Sequence, residues 1–308
     1  MVARRPRPGV APLMRASGAS DRIVGVVTWV FMLTAIVVTV YPFLFVASMS
    51  ISDPQAVLKN EIWLWPVGFS LRSYRIVLSN PEVLQDYANT VFYAVVGGAM
   101  SLAVTIAGAY ALSRRELLGR RFFMKLIVFT MFFSGGMIPA FLLVRRLGLY
   151  NTRWAILVPS LVGAWNLIIA RTYFQGTPDS IIESARIDGA NDIVILARIV
   201  VPMSQAIIAV VFLFYAVERW NTYFAALLYL KRVELQPLQI YLMKVLVTEI
   251  ASVGMGKNPP AADAMDRAIL AKQLRYALIM ITITPIMVLY PFLQKYFVQG
   301  VLIGALKE

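Results

Sequence analysis

The sequence predicts an all-α integral membrane protein with six spanning helices. Hydrophobic residues make up 59% of the chain and charged residues only 15%, whereas about a quarter of the residues in a soluble domain are charged. A spanning helix needs roughly 20 apolar residues to cross about 30 Å of hydrocarbon. Six uncharged runs approach that length, at 23–47, 87–112, 126–144, 154–170, 199–217 and 276–294.

The basic residues predict how the first spans are oriented, because Lys and Arg gather on the cytoplasmic side. Basic residues are frequent before the first run and between the second and third, but the loop 49–86 has few. The net charge of +13 therefore reflects membrane placement, and no nucleic-acid binding is expected. With six spans both termini are cytoplasmic, as tails 1–21 and 299–308 around a transmembrane domain 22–298.

The chain contains neither cysteine nor histidine. Disulfides, zinc sites with thiolate or imidazole ligands, and Ser-His or Cys-His nucleophiles are therefore excluded. We expect no catalytic residue and no metal site in this chain.

The loop between the fourth and fifth predicted spans has helix start and stop signals, in the region 177–202. Thr177 offers a capping hydroxyl before Pro178 at the first helical position, with an acid following in the first turn. The helix should stop near Gly189, and a second short helix should run from about Asp192 towards Pro202. Two short helices joined by a turn would form a hook on the cytoplasmic face.

A spaced motif runs through this hook. Its residues are Glu183, Ser184, Ala185, Gly189, Ile199, Val201 and Pro202. The spacing resembles the signature of binding-protein-dependent ABC importer permeases: Glu-Ala-Ala, three residues, Gly, nine residues, Ile, one residue, Leu, Pro. Ser184 and Val201 depart from that signature.

The resemblance implies that the first helix of the hook is a coupling helix that docks in a cleft of a separate ATPase subunit. Small residues such as Ser184, Ala185 and Gly189 would permit close approach of a partner, and Glu183 and Asp188 offer acceptors for its basic groups. The alternative is an ordinary solvated helix on which Glu183 pairs with Arg186.

Three further segments, 132–139, 215–230 and 296–307, are similar to carbohydrate-uptake permeases, including importers of alginate and other uronate oligomers. The resemblance implies an oligosaccharide substrate and a second, similar permease, expected as a heterodimer. It also implies two ATPase subunits that hold the ATP and Mg²⁺, an extracytoplasmic solute-binding protein, and a place in the bacterial inner membrane. No cofactor is expected in this chain.

Polar groups at membrane depth are costly and mark candidate substrate-pathway residues. The candidates are Asn166, Arg219, Trp220, Asn221 and Tyr223. Aromatic rings stack on sugars, amides bond hydroxyls, and Arg219 would attract an anionic sugar. The alternatives are an ion pair of Arg219 between helices, aromatic anchors at the membrane interface, and Asn bonds to other helices.

Two other classes of function compete with a permease. An ion-coupled secondary transporter would need intramembrane carboxylates, for which only Glu218 is available. An intramembrane enzyme would use Glu218 or Asp188, but no second catalytic group accompanies either. In the third predicted span, Gly135-Gly136 followed by Pro139 predicts a bend, which would act as a gating hinge or permit close helix packing.

Overall fold

The computed structural model describes residues 19–254 and 272–291, and every regular element in these ranges is helical. The only β-type feature among them is an isolated bridge between Ser52 and Phe69. The predicted all-α class is therefore confirmed for this part of the chain. The predicted C-terminal tail and nearly all of the predicted N-terminal tail lie outside the described residues.

Sixteen α-helices follow one another in these ranges, several of them short. They are α1 (Ala19–Ser50), α2 (Pro54–Leu58), α3 (Arg72–Ser79), α4 (Pro81–Phe92), α5 (Gly98–Ser113), α6 (Arg120–Phe132), α7 (Met137–Arg146), α8 (Trp154–Leu157), α9 (Ala164–Phe174), α10 (Asp179–Ile187), α11 (Asp192–Ile195), α12 (Val201–Met203), α13 (Gln205–Trp220), α14 (Phe224–Tyr229), α15 (Leu238–Gly254) and α16 (Lys272–Pro291). A π-helical turn, Tyr93–Gly97, joins α4 to α5, a second one, Leu196–Val200, joins α11 to α12, and Val233–Leu235 forms a 3₁₀ turn.

Three uninterrupted helices in the described ranges are long and apolar enough to cross a membrane: Arg22–Ser50, Pro81–Ser113 and Lys272–Pro291. The number rises to five if each of two bent pairs counts as one span. These pairs are α6 with α7, bent by 116°, and Asp192–Met203 with α13, bent by 90°. The predicted count of six spans remains a prediction.

The bend predicted at Gly135-Gly136 is present between α6 and α7. Gly136 has φ +83°, in the region that L-residues with a side chain rarely adopt. Pro139 follows in the first turn of α7, where the missing N–H removes no helical hydrogen bond.

The fourth predicted span is not one continuous helix. It consists of the four-residue α8 and the eleven-residue α9, which are separated by an unwound segment at 158–163. Pro159 lies at the second position of this segment and has no N–H to continue the ladder of α8.

Helices α5, α9 and α13 pack against each other and form the centre of the described structure. At one end of these helices, α10 and α11 pack against them and form a buried cluster. We call this end of the structure the hook end. A second buried cluster contains Tyr93, Leu157 and Tyr229. Gly98 permits the close approach of α5 to α13, since a Cβ there would lie 3.2 Å from the Phe212 ring and 3.5 Å from the Ala216 backbone nitrogen.

Among the described residues, helix α1 is buried against its own chain only near its C-terminal end. The most apolar 18-residue stretch of this helix has no buried residue, whereas Met49, in its last turn, is buried against Val57 and Ile62. Most of α1 therefore offers its surface to lipid or to another chain.

Replacing Gly98 by Val should destabilise the contact between α5 and α13 by about 1–3 kcal/mol, the usual cost of overpacking. Thermal unfolding of the purified protein in detergent measures the effect as a lower midpoint. The matched control is Gly25→Val, since nothing lies within 4 Å of a Cβ at Gly25. An equal loss of stability in both variants would contradict the packing argument.

Candidate functional site

Residues 179–195, called the hook from here on, contain α10 and α11, and α11 is the first turn of the helical stretch Asp192–Met203 that bends into α13. The predicted start of the first helix is wrong in detail. Pro178 is the N-cap, with ψ 130°, and no side chain caps the helix, so Thr177 does not supply the cap. Because Pro178 has the extended backbone of an N-cap residue, helical geometry begins one residue later, at Asp179.

The end of α10 confirms the predicted stop at Gly189. The Ala190 N–H donates to the Ala185 carbonyl at 2.9 Å and the Gly189 N–H donates to the Arg186 carbonyl at 3.0 Å. Together with φ +82° at Gly189, these bonds form a Schellman motif. The chain then turns into α11, whose start is capped by the Asn191 side chain, which accepts from the Val194 N–H at 2.9 Å.

The inner side of the hook is apolar and buried. Ile182, Ala185 and Ile195 pack in one cluster with Tyr110 of α5 and Phe174 of α9. This burial packs the hook closely against α5 and α9.

Arg186 ties the hook to the segment between α5 and α6. Its guanidinium donates to both carboxylate oxygens of Glu116, at 2.8 and 2.7 Å, and to Asp192 at 3.2 Å. These hydrogen bonds raise the pKa of Arg186 above its ordinary value. Glu183 is therefore not the partner of Arg186, and no ion pair involves Glu183 within the described residues.

The outer side of the hook is exposed and mixes acidic with apolar groups. Its exposed acids include Glu183 and Asp188, and Ile187 and Ile193 are 86% and 78% exposed. A Cβ at Gly189 would meet nothing within 4 Å. This surface can bind a partner that combines apolar contacts with basic groups, because exposed isoleucines favour burial and carboxylates accept from Arg or Lys.

Sequence reasoning did not predict the role of Glu116. A polar cavity of about 370 Å³ lies between α10 and the segment that contains Glu116. The charge pattern could have indicated that Glu116 has a specific partner, since Glu116 is the one acid in the otherwise basic stretch 114–125.

Ile199 and Pro202 do not share the outer surface with Glu183. Ile199 lies in the π-helical turn and packs half-buried against the cluster at the hook end, while Pro202 is exposed in α12, just before the bend at Ser204. The motif therefore covers both the hook and the bent segment that leads away from it.

Arg219, in the last turn of α13, lies in the protein interior with 2% of its surface exposed. Its guanidinium donates to the carbonyls of Ile156, Leu157 (3.2 Å) and Ser160 (2.6 Å). It also donates to the hydroxyls of Ser160 (2.6 Å) and Ser101 (3.3 Å). In the described part of the chain Arg219 forms no ion pair, so the predicted alternative of an ion pair between helices is not found there.

Tyr215, one turn before Arg219 on α13, contacts the same unwound segment. Its hydroxyl accepts from the Gly163 N–H at 2.9 Å and lies 2.7 Å from the Thr105 hydroxyl. Thr105 and Ser101 are themselves one turn apart on α5. Ser101 and Thr105 on α5 thus face Arg219 and Tyr215 on α13, and these polar groups connect both helices to residues 158–163.

The other predicted pathway residues divide between the interior and the surface. Trp220 is buried, donates its indole N–H to the Thr282 carbonyl at 3.0 Å, and packs edge-on against Tyr87. Asn166 is buried, Asn221 is exposed, and Tyr223 is half-buried. Asn166 and Arg219 both adjoin the unwound segment, whereas Asn221 donates to the Val217 carbonyl of its own helix at 2.9 Å. Their role in a substrate pathway remains a prediction.

No group of three or more acidic side chains in residues 19–254 and 272–291 is arranged to hold a metal ion.

No protein-family model matches the chain.

Two relatives from Bacillus subtilis are similar over nearly the whole chain. The polygalacturonan/rhamnogalacturonan transport system permease protein YtcP is 38% identical, over 93% of this chain and 99% of its own length. The protein LplC is 38% identical, over 88% of this chain and 90% of its own.

Among solved structures, this fold is similar to a chain in the crystal structure of a bacterial ABC transporter involved in the import of the acidic polysaccharide alginate. The TM-score is 0.82 and the identity 39%, over 91% of this chain and 98% of that one. An ion-coupled transporter has no support among these similarities. The identity and coverage show that this chain belongs to the family of sugar ABC transporter permeases.

Proposed function

We propose that this permease imports acidic oligosaccharides, uronate oligomers of the kind released from alginate or polygalacturonan. The observation that carries the proposal is the similarity of 38–39%, over more than nine-tenths of this chain, to two proteins named for such polymers. Both polymers consist of sugars with a carboxylate on the ring, so the shared chemistry is a chain of hydroxyls and anionic groups.

The hook is the coupling element in this proposal. The apolar Ile187 and Ile193 would enter a cleft on an ATPase subunit, and Glu183 and Asp188 would accept hydrogen bonds from basic groups at its rim. The ATPase, not this chain, would hold ATP and Mg²⁺. Support comes from the exposed outer side of the hook and from the motif, in which Glu183 lies six residues before Gly189.

Movement of the ATPases would pass from the hook into α5 and α9. Because Ile182 and Ile195 are buried against those helices and Arg186 is bonded to Glu116, the hook acts as a rigid lever. A second permease, expected to differ from this one, would complete the pathway, and an external binding protein would deliver the sugar. The two chains would alternate between inward-open and outward-open states, with six spans in this chain and both termini cytoplasmic.

The pathway would be lined by Asn166, Arg219, Trp220, Asn221 and Tyr223 through unequal contributions. Asn221 and Tyr223 retain exposed surface and would contact sugar hydroxyls and ring faces. Arg219, Trp220 and Asn166 are buried. They would not contact the sugar but would support the residues that line the pathway.

Glu183→Arg should weaken the association of the permease with its ATPase by about 2 kcal/mol or more, because it sets like charges opposite each other at the contact. Co-purification of the ATPase and ATP-driven uptake in proteoliposomes measure the effect. The control is Glu61→Arg, the same change at an exposed acid between α2 and α3. Unchanged association and uptake in Glu183→Arg would remove the coupling assignment.

Gly189→Ala should distort the hook, because a left-handed backbone costs a residue with a Cβ about 1 kcal/mol, or roughly fivefold in affinity for the ATPase. Gly189→Asn is the matched control, since Asn tolerates this conformation better than Ala does. Titration of the reconstituted permease with the ATPase subunit measures both variants. Equal affinities for the Ala and Asn variants would mean that the backbone shape of the hook is not what the ATPase recognises.

Oligogalacturonate and oligomannuronate should compete for uptake at least about tenfold better than a neutral oligosaccharide of equal length, since paired carboxylates bind cationic donors strongly. Inhibition of labelled oligosaccharide uptake by each competitor measures the difference. The assay uses the complete transporter with its binding protein. Equal inhibition by the neutral sugar would contradict a preference for acidic substrates while leaving the permease assignment intact.

A further inference from the structure

We propose that Arg219 is a positioning residue that holds the unwound segment 158–163 in a fixed non-helical shape as a wall of the substrate pathway. The proposal rests on the permease function and adds a role for a residue that does not itself have to contact the sugar.

The unwound segment lies deep along the length of its span. At the hook end, Arg171 of α9 donates to the carbonyl of Leu112, near the end of α5. Gly163 lies eight residues before Arg171, so the segment begins about 12 Å further along the helix axis, at 1.5 Å per residue. Taking the charged Arg171 as the edge of a hydrocarbon layer about 30 Å thick, this distance places the segment in the middle region of the layer.

An interrupted helix at that depth leaves backbone groups without partners. The last carbonyls of α8 have no helical donor, because α8 ends before Pro159. Arg219 donates to the carbonyls of Ile156, Leu157 and Ser160, and Tyr215 accepts the Gly163 N–H at the start of α9. One face of α13 thus satisfies both edges of the interruption.

The arginine side chain suits this task for a geometric reason. Its planar guanidinium presents donors in a fixed fork, and here its two terminal nitrogens reach three carbonyls and two hydroxyls. A lysine ammonium has the same charge but only three donors at one point. Ser101 on α5 contacts the fork from the other side, so the arrangement of Arg219 fixes α5, α13 and the segment relative to each other.

The other face of the segment is open. Val158 and Val162 are 40% and 43% exposed, and Pro159 and Ser160 are exposed as well. Irregular backbone at membrane depth does not face lipid but is buried in protein or lines a water-filled cavity, and interrupted helices of transporters border substrate sites near the midplane. The open face of residues 158–162 therefore points to the pathway.

Cysteine labelling tests where this face points, and the chain suits the experiment because it contains no cysteine. Val162→Cys in the assembled transporter should react with a charged, membrane-impermeant methanethiosulfonate at least about tenfold faster than a lipid-facing position, since charged reagents are excluded from hydrocarbon. The matched control is Val37→Cys in α1, also a highly exposed valine. A rate at Val162 as slow as at Val37 would overturn the proposal, because the face would then be covered by lipid or by the second permease.

Substitution of Arg219 tests the positioning role. Arg219→Lys and Arg219→Met should each raise the apparent KM for oligosaccharide uptake by about tenfold while ATPase association stays within about twofold of wild type. Glu218→Gln, at the exposed neighbouring residue, should leave the KM unchanged. A wild-type KM in Arg219→Lys would show that charge suffices and would overturn the role of the fork.

Two further measurements separate a positioning role from loss of folding. Tyr215→Phe removes a hydroxyl contact on the same segment and should change the labelling rate of Val162→Cys even if Arg219→Met does not fold. A fall in protein yield with unchanged KM and labelling would mean that Arg219 is only structural, and would overturn the proposal. The labelling result depends neither on the identity of the sugar nor on the hook, so it remains informative if the substrate class or the coupling assignment fails.

Discussion

The constraint on which this structure depends is that the backbone N–H and C=O groups of a membrane-embedded segment need partners within the protein. Uninterrupted helices meet it locally, as in Arg22–Ser50 and Pro81–Ser113. Wherever the described chain departs from a helix at depth, other side chains must compensate. The polar groups of α5 and α13 that bond residues 158–163 are the clearest instance, because they lie on otherwise apolar helices.

Backbone groups also need partners at the hook, and α13 contacts both the hook end and the unwound segment. At the hook end the Schellman motif at Gly189 and the Asn191 cap satisfy the ends of two short helices, while burial of Ile182 and Ile195 anchors them. Further along, Tyr215 belongs both to the buried cluster at the hook end and to the contact with Gly163. Contacts made by α13 therefore connect the packing of the hook with the unwound segment.

Sequence reasoning predicted the features that depend on local signals. Apolar run length gave the all-α membrane class, Gly135-Gly136 gave the bend, and Gly189 gave the end of the first hook helix. The hook itself followed from helix start and stop signals, but the cap at Thr177 was wrong, since Pro178 is the N-cap and no side chain caps the helix. The interruption of the fourth predicted span was missed because a single Pro159 within an apolar run does not distinguish a kink from a break.

The surroundings of Arg219 could not be predicted from one sequence, because its partners lie 59 to 118 residues away in the chain. A charge at membrane depth indicated a costly group but not its partners, and both earlier interpretations assumed a charged partner, sugar or carboxylate. The structure supplies neutral carbonyls and hydroxyls instead. One signal was available in the sequence. Ser101 and Thr105 lie one helical turn apart, as do Tyr215 and Arg219, and this matched spacing indicates two polar pairs that can face each other.

The π-helical turn Tyr93–Gly97 carries a consequence for genetic change. A π-helical turn holds one residue more than an α-helical turn, so it sets the rotation of α5 relative to α4. Deleting one residue within this turn would leave an ordinary α-helical turn, which rotates the chain by about the same angle, so Ser101 and Thr105 would still face Arg219 and Tyr215. A one-residue deletion in the regular α-helical stretch before Ser101 would instead rotate both side chains by about 100°. A single-codon deletion should therefore be better tolerated at Val95 or Val96, which are not fully buried, than a few residues later in α5.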